Sequence, residues 1–160
     1  MTPGAAGSGV RLVELGPDNH RAYGALETTP EQRRFVAPMI ANYGDALYPN
    51  LEQGVALVPV LFGIEADGEP AGFLMYAATT ETVPEPYLWR FLVDHRFQGR
   101  GIGRAALTLL LDRLRAEGEE RVRLSYVDEP GGPRGFYERF GFVPTGEVDD
   151  GEVVAVLALG

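Results

Sequence analysis

The chain has 160 residues, which is enough for one well-buried domain and too few for two. It has no cysteine, and its histidines lie far apart at His20 and His95, which excludes disulfides, thiolate chemistry and a structural zinc site. Its net charge of −9 argues against nucleic acid as a partner, and the lack of a long apolar run argues against a membrane partner.

The first half of the chain predicts a tail, a strand, two helices and a hairpin. Residues 1–8 are rich in glycine and alanine and predict a flexible tail ahead of one domain over residues 9–160. The tail lacks the cation and the apolar core of a signal peptide, so we expect a cytoplasmic protein. The elements expected next are a strand over residues 10–15, helices over residues 20–27 and 35–43, and strands over residues 55–66 and 71–80.

The second half predicts strands that alternate with helices. The expected elements are a strand over residues 87–94, a long helix over residues 103–117, a strand over residues 121–127, a helix over residues 133–140, and a final hairpin of residues 142–147 and 152–159. Strand–helix–strand units among hairpins predict an α/β (α+β) fold, in which helices cover a mixed sheet.

The charges are unevenly distributed along the chain. Residues 1–89 hold 4 arginines and 11 carboxylates, residues 90–139 hold 10 arginines and 8 carboxylates, and residues 140–160 hold 4 carboxylates and no cation. The middle segment is therefore suited to an anionic ligand and the other two to a cationic one. An acidic surface that only meets water explains the same counts equally well.

A glycine-rich segment joins the strand over residues 87–94 to the long helix. Glycines at every second position, Gly99, Gly101 and Gly103, let backbone N–H groups approach a ligand without interference from Cβ atoms. The helix start adds partial positive charge, and Arg100 and Arg104 oppose that dipole unless an anion binds there. The alternative is a glycine-rich turn with two hydrated arginines. The spacing fits neither a Walker loop nor the dinucleotide fingerprint.

Two motifs resemble those of the GNAT family of N-acetyltransferases. The first is the family's pyrophosphate loop, Gln/Arg-x-x-Gly-x-Gly/Ala, found here over residues 98–103. The second is Gly-Phe-Tyr-Glu-Arg-Phe-Gly-Phe over residues 135–142. With the order of the elements, the resemblance covers about residues 9–159. It implies the GNAT fold, a single domain with a mixed central sheet of about seven strands and about four helices.

The resemblance implies acetyl-coenzyme A as co-substrate. Main-chain groups of Phe91, Leu92 and Val93 would pair with its pantetheine arm, where their strand diverges from the strand over residues 121–127. The other binding positions that the resemblance implies are Gln98, Gly99, Arg100, Gly101, Ile102, Gly103, Arg104 and Arg134. Pro130 stands where many relatives carry an asparagine, which removes one side-chain contact to the cofactor.

The resemblance also implies direct transfer of the acetyl group, with no metal. Tyr137 matches the tyrosine that faces the thioester sulfur, and a phenol of pKa near 10 is suited to protonating a departing thiolate. A core aromatic residue is the alternative for Tyr137. Glu31, Glu81 and Glu85 are the candidates for the general base, and a water chain fits equally well.

Weaker matches, in residues 31–38, 89–94 and 146–154, resemble the bacterial spermidine/spermine and diamine acetyltransferases within the family. They imply a small-molecule polyamine or diamine as the acceptor, bound by the acidic early helices and final hairpin. The alternatives are an antibiotic amine, a protein N-terminus, or a non-catalytic module that binds acyl-coenzyme A. The resemblance leaves a homodimer open.

Overall fold

The computed structural model describes residues 9–49 and 56–160, where seven strands form one sheet in the order β1-β2-β3-β4-β5-β7-β6. The strands are β1 (Val10–Glu14), β2 (Pro59–Ala66), β3 (Glu69–Ala77), β4 (Tyr87–Val93), β5 (Arg121–Tyr126), β6 (Val143–Asp149) and β7 (Glu152–Ala158). Neighbouring strands are antiparallel except β4 and β5, which are parallel. The mixed sheet predicted from the order of elements is confirmed.

Helices cover both faces of this sheet. They are α1 (His20–Gly24), α2 (Met39–Leu47), α3 (Ile102–Ala116) and α4 (Arg134–Phe140), with short 3-10 helices at Pro30–Gln32 and His95–Phe97. One core lies under α3, where Leu107 and Leu110 are fully buried, and a second lies under α1 and α2 around Phe73 and Met75. Because helices pack on both faces, β3 is buried at almost every position.

The early helices differ from the prediction. The helix expected over residues 35–43 starts instead at Met39, because Pro38 takes an extended conformation at the N-cap and disfavours a helical residue before it. The helix expected over residues 20–27 ends at Gly24. The predicted tail and residue 55 lie outside the described residues, and the strand expected over residues 55–66 begins at Pro59. In the two described ranges, every helix is too short or too polar to cross a membrane.

Strand β4 pairs with β5 only through its first two residues. Their ladder consists of Tyr87 with Arg123 and Leu88 with Leu124, whereas β4 remains paired to β3 as far as Val93. The remainder of β4 therefore diverges from β5 and leaves an open edge in the middle of the sheet. The chain then passes through the glycine-rich segment into α3.

Candidate active site

An open cleft of about 660 Å³ lies where β4 and β5 diverge. This volume is in the range of small-molecule sites in proteins. Its walls are β4 from Leu88 to Val93, the end of β5, the glycine-rich segment with the start of α3, and residues from α4. A segment between α1 and α2, which includes residues 32–37, covers one side.

The first turn of α3 faces this cleft. Gly101 is the N-cap residue, with φ of +76°, and no side chain caps the helix. Gly99 also has a positive φ, of +77°, and a Cβ at either glycine would meet nothing within 4 Å. The glycines are therefore required by their left-handed conformation, while the space in front of them is open. Such an uncapped helix start presents N–H groups and a partial positive charge to a ligand.

Gln98 and Asp94 hold the glycine-rich segment in place. The Gln98 side chain donates to the Val93 carbonyl oxygen at 3.0 Å and to Gln32 Oε1 at 2.7 Å. The Asp94 carboxylate is 1% exposed and accepts hydrogen bonds from the Glu27 and Arg96 backbone N–H groups. Burial alone would raise the pKa of Asp94, but these bonds and the Arg96 guanidinium outweigh it and lower the pKa.

The arginines near the cleft differ in their partners. Arg90 is paired to Asp45 at 2.9 Å and Arg34 to Glu129 at 3.4 Å. Arg33 and Arg104 also line the cleft, and neither has a carboxylate within 4.0 Å in the part of the chain that the structure describes. Arg104 thus presents an uncompensated positive charge in the first turn of α3.

Two of the predicted cofactor-binding arginines do not line the cleft. The Arg100 guanidinium lies over the Phe97 ring at 5.4 Å, and Arg134 is paired to Glu138 at 2.7 Å and to Asp128 at 3.3 Å. The i,i+4 spacing of Arg134 and Glu138 in the sequence is compatible with this ion pair. The other predicted binding residues do line the cleft, and they are Phe91, Leu92, Val93, Gln98, Gly99, Gly101, Ile102, Gly103 and Arg104.

Tyr137 projects from α4 into the cleft. Its ring packs edge-on against Phe136 and Phe142 and is stacked on Tyr126, with centroids 5.4, 5.8 and 6.0 Å away. Burial raises the pKa of the phenol, and the nearby Tyr87 and Glu152 raise it further. The phenol is therefore fully protonated at neutral pH and can donate a proton.

A series of polar side chains from β4, β5 and β7 reaches the cleft at Ser125 and Glu152. The Tyr87 hydroxyl lies 2.5 Å from Ser125 Oγ, and Ser125 Oγ donates to Glu152 Oε1 at 3.2 Å. Glu152 is half-buried and is the one acidic residue among the described residues that line the cleft. Ser125 and Glu152 were not among the individual residues predicted for the site. The alternation along β5 does place Ser125 and Arg123 together on its less buried face.

The three carboxylates predicted as candidate bases are not brought to this cleft. Glu85 is 8% exposed and its two oxygens are bound by Arg123 at 2.9 Å and Arg121 at 3.2 Å. Glu31 and Glu81 are exposed and lie outside the lining. Among the described residues of the acidic segment 1–89, those that line the cleft include Arg33 and Arg34 but no acid. These placements correct the expectation that the early segments supply an acidic wall.

Known proteins share both sequence and fold with this chain. The model of the Acetyltransferase (GNAT) family matches residues 32–142. The spermine/spermidine N(1)-acetyltransferase of Bacillus subtilis (strain 168) is 34% identical over 104 residues, which cover 61% of this chain and 68% of that protein. An acetyltransferase from Thermus thermophilus superposes with a TM-score of 0.71 at 17% identity, over 93% of this chain and 96% of its own. The PaiA N-acetyltransferase of Thermoplasma acidophilum, solved in complex with coenzyme A, superposes with a TM-score of 0.70 at 14% identity. The match covers 93% of this chain and 98% of that chain.

Proposed function

Because the chain belongs to the acetyltransferase (GNAT) family, whose co-substrate is acetyl-coenzyme A, we propose that it acetylates a primary amine of a polyamine or diamine. The resemblance noted in the two sequence motifs is confirmed, as are the GNAT fold and an N-acetyltransferase activity. The acceptor and the roles of individual residues form the proposal. We also propose that the protein acts in the cytoplasm.

The observation that carries the proposal is that one cleft joins three different features. An uncapped helix start with open space before its glycines suits a pyrophosphate, and Arg104 adds a cation there. The unpaired edge of β4 suits an amide-containing arm, because main-chain groups alternate along a strand edge. The phenol of Tyr137 lies in the same cleft. These residues fit acetyl-coenzyme A.

The acetyl-coenzyme A supplies, when bound, a thioester carbonyl that an amine can attack. On our proposal a backbone N–H of Leu92 or Val93 donates a hydrogen bond to the carbonyl oxygen as negative charge develops on it. Tyr137 donates its proton to the departing sulfur. Because the pKa of its phenol is raised above the ordinary value, the phenol carries that proton at neutral pH. Gln98 and Asp94 hold the segment between β4 and α3 in place.

Two observations support a polyamine or diamine as acceptor. The Bacillus subtilis relative acts on spermine and spermidine by its name, at 34% identity. The cleft also carries a carboxylate, Glu152, without a described cationic partner, in addition to the arginine at the start of α3. An amine with several positive charges would gain more from that arrangement than a neutral peptide.

The test is thiol release from acetyl-coenzyme A with a panel of spermidine, spermine, a short diamine, a monoamine and a peptide with a free N-terminus. We expect the polyamines and the diamine to give the highest kcat/KM. Equal use of the monoamine or the peptide at low salt would refute the polyamine proposal in favour of another amine. Tight acetyl-coenzyme A binding in calorimetry without turnover on any amine would indicate a non-catalytic module.

A further inference from the structure

We propose that Glu152 is the carboxylate that binds the ammonium group of the acceptor and receives its proton before the amine attacks the thioester. The proposal rests on the proposed function and assigns a residue to its acceptor side. It replaces Glu31, Glu81 and Glu85, which lie outside the cleft.

Glu152 carries the negative charge of the cleft wall without compensation. It is the one carboxylate that lines the cleft within the described ranges, and no arginine of those ranges lies within 4.0 Å of it. The neighbouring carboxylates differ, since Arg123 binds both Glu85 at 2.9 Å and Glu147 at 3.0 Å. A half-buried carboxylate that lacks a cation is stabilised when a cationic ligand binds to it.

The register of the sheet places Glu152 close to Tyr137. Tyr126 of β5 is paired with Val153 of β7, and the Tyr126 ring is stacked on Tyr137. Glu152 directly precedes Val153 and reaches back to Ser125, the neighbour of Tyr126. By the alternation along β5 and β7, Ser125 and Glu152 face the side of the sheet opposite the Tyr126 ring, yet Glu152 is close enough to Tyr137 to raise the pKa of its phenol. A nitrogen bound to Glu152 would therefore approach the phenol from the opposite face of the sheet.

Ser125 and Tyr87 hold the carboxylate in position. Because Ser125 Oγ donates to Glu152, the Tyr87 hydroxyl, 2.5 Å away, is left to donate to Ser125. The hydrogen bond from Ser125 occupies Oε1 of Glu152. The second oxygen, Oε2, has no hydrogen bond from another described residue and can accept one from an ammonium group.

The acceptor nitrogen loses two protons during the transfer, one to Glu152 and one to Tyr137. The ammonium passes one proton to Glu152, and the nitrogen lone pair forms the bond to the carbonyl carbon. The carbon–sulfur bond breaks, the sulfur takes the proton of Tyr137, and the resulting phenolate takes the second proton of the nitrogen. Glu152 then releases its proton to water in the open cleft. An ordinary carboxylate is a much weaker base than an amine, so only a small fraction of the bound acceptor is deprotonated at any time, and attack of that fraction on the thioester draws the equilibrium forward.

The test compares Glu152→Gln with Glu147→Gln, a matched control on the neighbouring strand β6 that lies outside the cleft and whose side chain is 62% exposed. The amide of Glu152→Gln can still accept the hydrogen bond of Ser125, so the fold should persist. We expect the Glu152→Gln variant to lose about 10²–10⁴-fold in kcat/KM for spermidine, with a higher KM and a lower kcat. The acetyl-coenzyme A Kd should stay within about twofold of the wild-type value, as it should in the Glu147→Gln variant.

Spermidine binding to the complex with coenzyme A, measured by calorimetry, separates this proposal from the proposed function. If the wild type turns over no amine but still binds spermidine, and Glu152→Gln abolishes that binding, Glu152 is the ammonium site and the proposed function fails. Glu152→Asp, which keeps the charge, should retain binding and guards against a folding artefact. Turnover and spermidine affinity of Glu152→Gln equal to those of the wild type would overturn the proposal, and so would no spermidine binding by the wild type.

Discussion

Replacement of Tyr137 by phenylalanine tests the chemistry of the cleft most directly. The ring should keep its packing against Phe136, Phe142 and Tyr126, because only the hydroxyl is removed. That hydroxyl has no hydrogen bond to another described residue, so its loss leaves no partner unsatisfied. We expect the free energy of unfolding to change by less than about 0.5 kcal/mol.

The Tyr137→Phe substitution should strongly lower the rate of turnover. General acid catalysis contributes about 10²–10⁴-fold, which corresponds to about 2.7–5.4 kcal/mol of transition-state stabilisation. We therefore expect kcat to fall by that factor while the Kd for acetyl-coenzyme A remains unchanged. The assay is thiol release with saturating spermidine, with Tyr76→Phe as control, since Tyr76 is a buried tyrosine of β3 outside the cleft.

The pH dependence of the wild-type kcat tests whether Tyr137 acts in its protonated form. A general acid must be protonated, and burial raises the pKa of Tyr137 above its ordinary value of 10.0. The wild-type kcat should therefore not decline between pH 9 and 10, whereas an unshifted phenol would lose about half of its protons by pH 10. A Tyr137→Phe variant that turns over at the wild-type rate, with chemistry shown to be rate-limiting, would refute the role of Tyr137 and return it to the core.

Three further predictions concern the segment between β4 and α3 and the first turn of α3. Gly101→Val should weaken acetyl-coenzyme A binding at least tenfold in calorimetry, because valine strains a backbone with φ of +76°, whereas Gly44→Ala in α2 should not. Arg104→Ala should weaken the same binding at low salt and have little effect at about 1 M salt; equal losses at both would exclude a charge interaction. Asp94→Asn should destabilise the fold by about 1–3 kcal/mol in urea unfolding at pH 7. Because folding lowers the pKa of Asp94, its stabilisation exists above the unfolded pKa and is lost as the pH falls through the folded pKa, so the difference between variant and wild type should shrink in acid.

Features set by neighbouring residues could be predicted from the sequence. The helix expected over residues 103–117 is found at Ile102–Ala116, because its leucines recur on one face and a glycine follows its end. In contrast, α2 was displaced by several residues because a single proline decided where it begins.

Features set by strand register could not be predicted. The pairing of Glu85 with Arg123 joins residues 38 apart, and that of Ser125 with Glu152 joins residues 27 apart. Both depend on which strands are neighbours in the sheet, and β7 lies next to β5 although β6 precedes it in the chain. A carboxylate in the sequence therefore gives no indication of whether an arginine already neutralises it. Glu85 was misassigned as a candidate base for this reason.

The overall charge of the chain and the local charges of the cleft act on its ligands in opposite ways. A net charge of −9 repels an anionic cofactor at long range, but the Debye length is about 8 Å at physiological salt, so distant carboxylates are largely screened. The groups within that distance decide binding, and at the start of α3 they are N–H groups and Arg104. Beside β5 the deciding group is Glu152. One acidic protein can therefore hold an anion and a cation in adjoining parts of one cleft, because two strands that separate after two pairs of residues leave room for both.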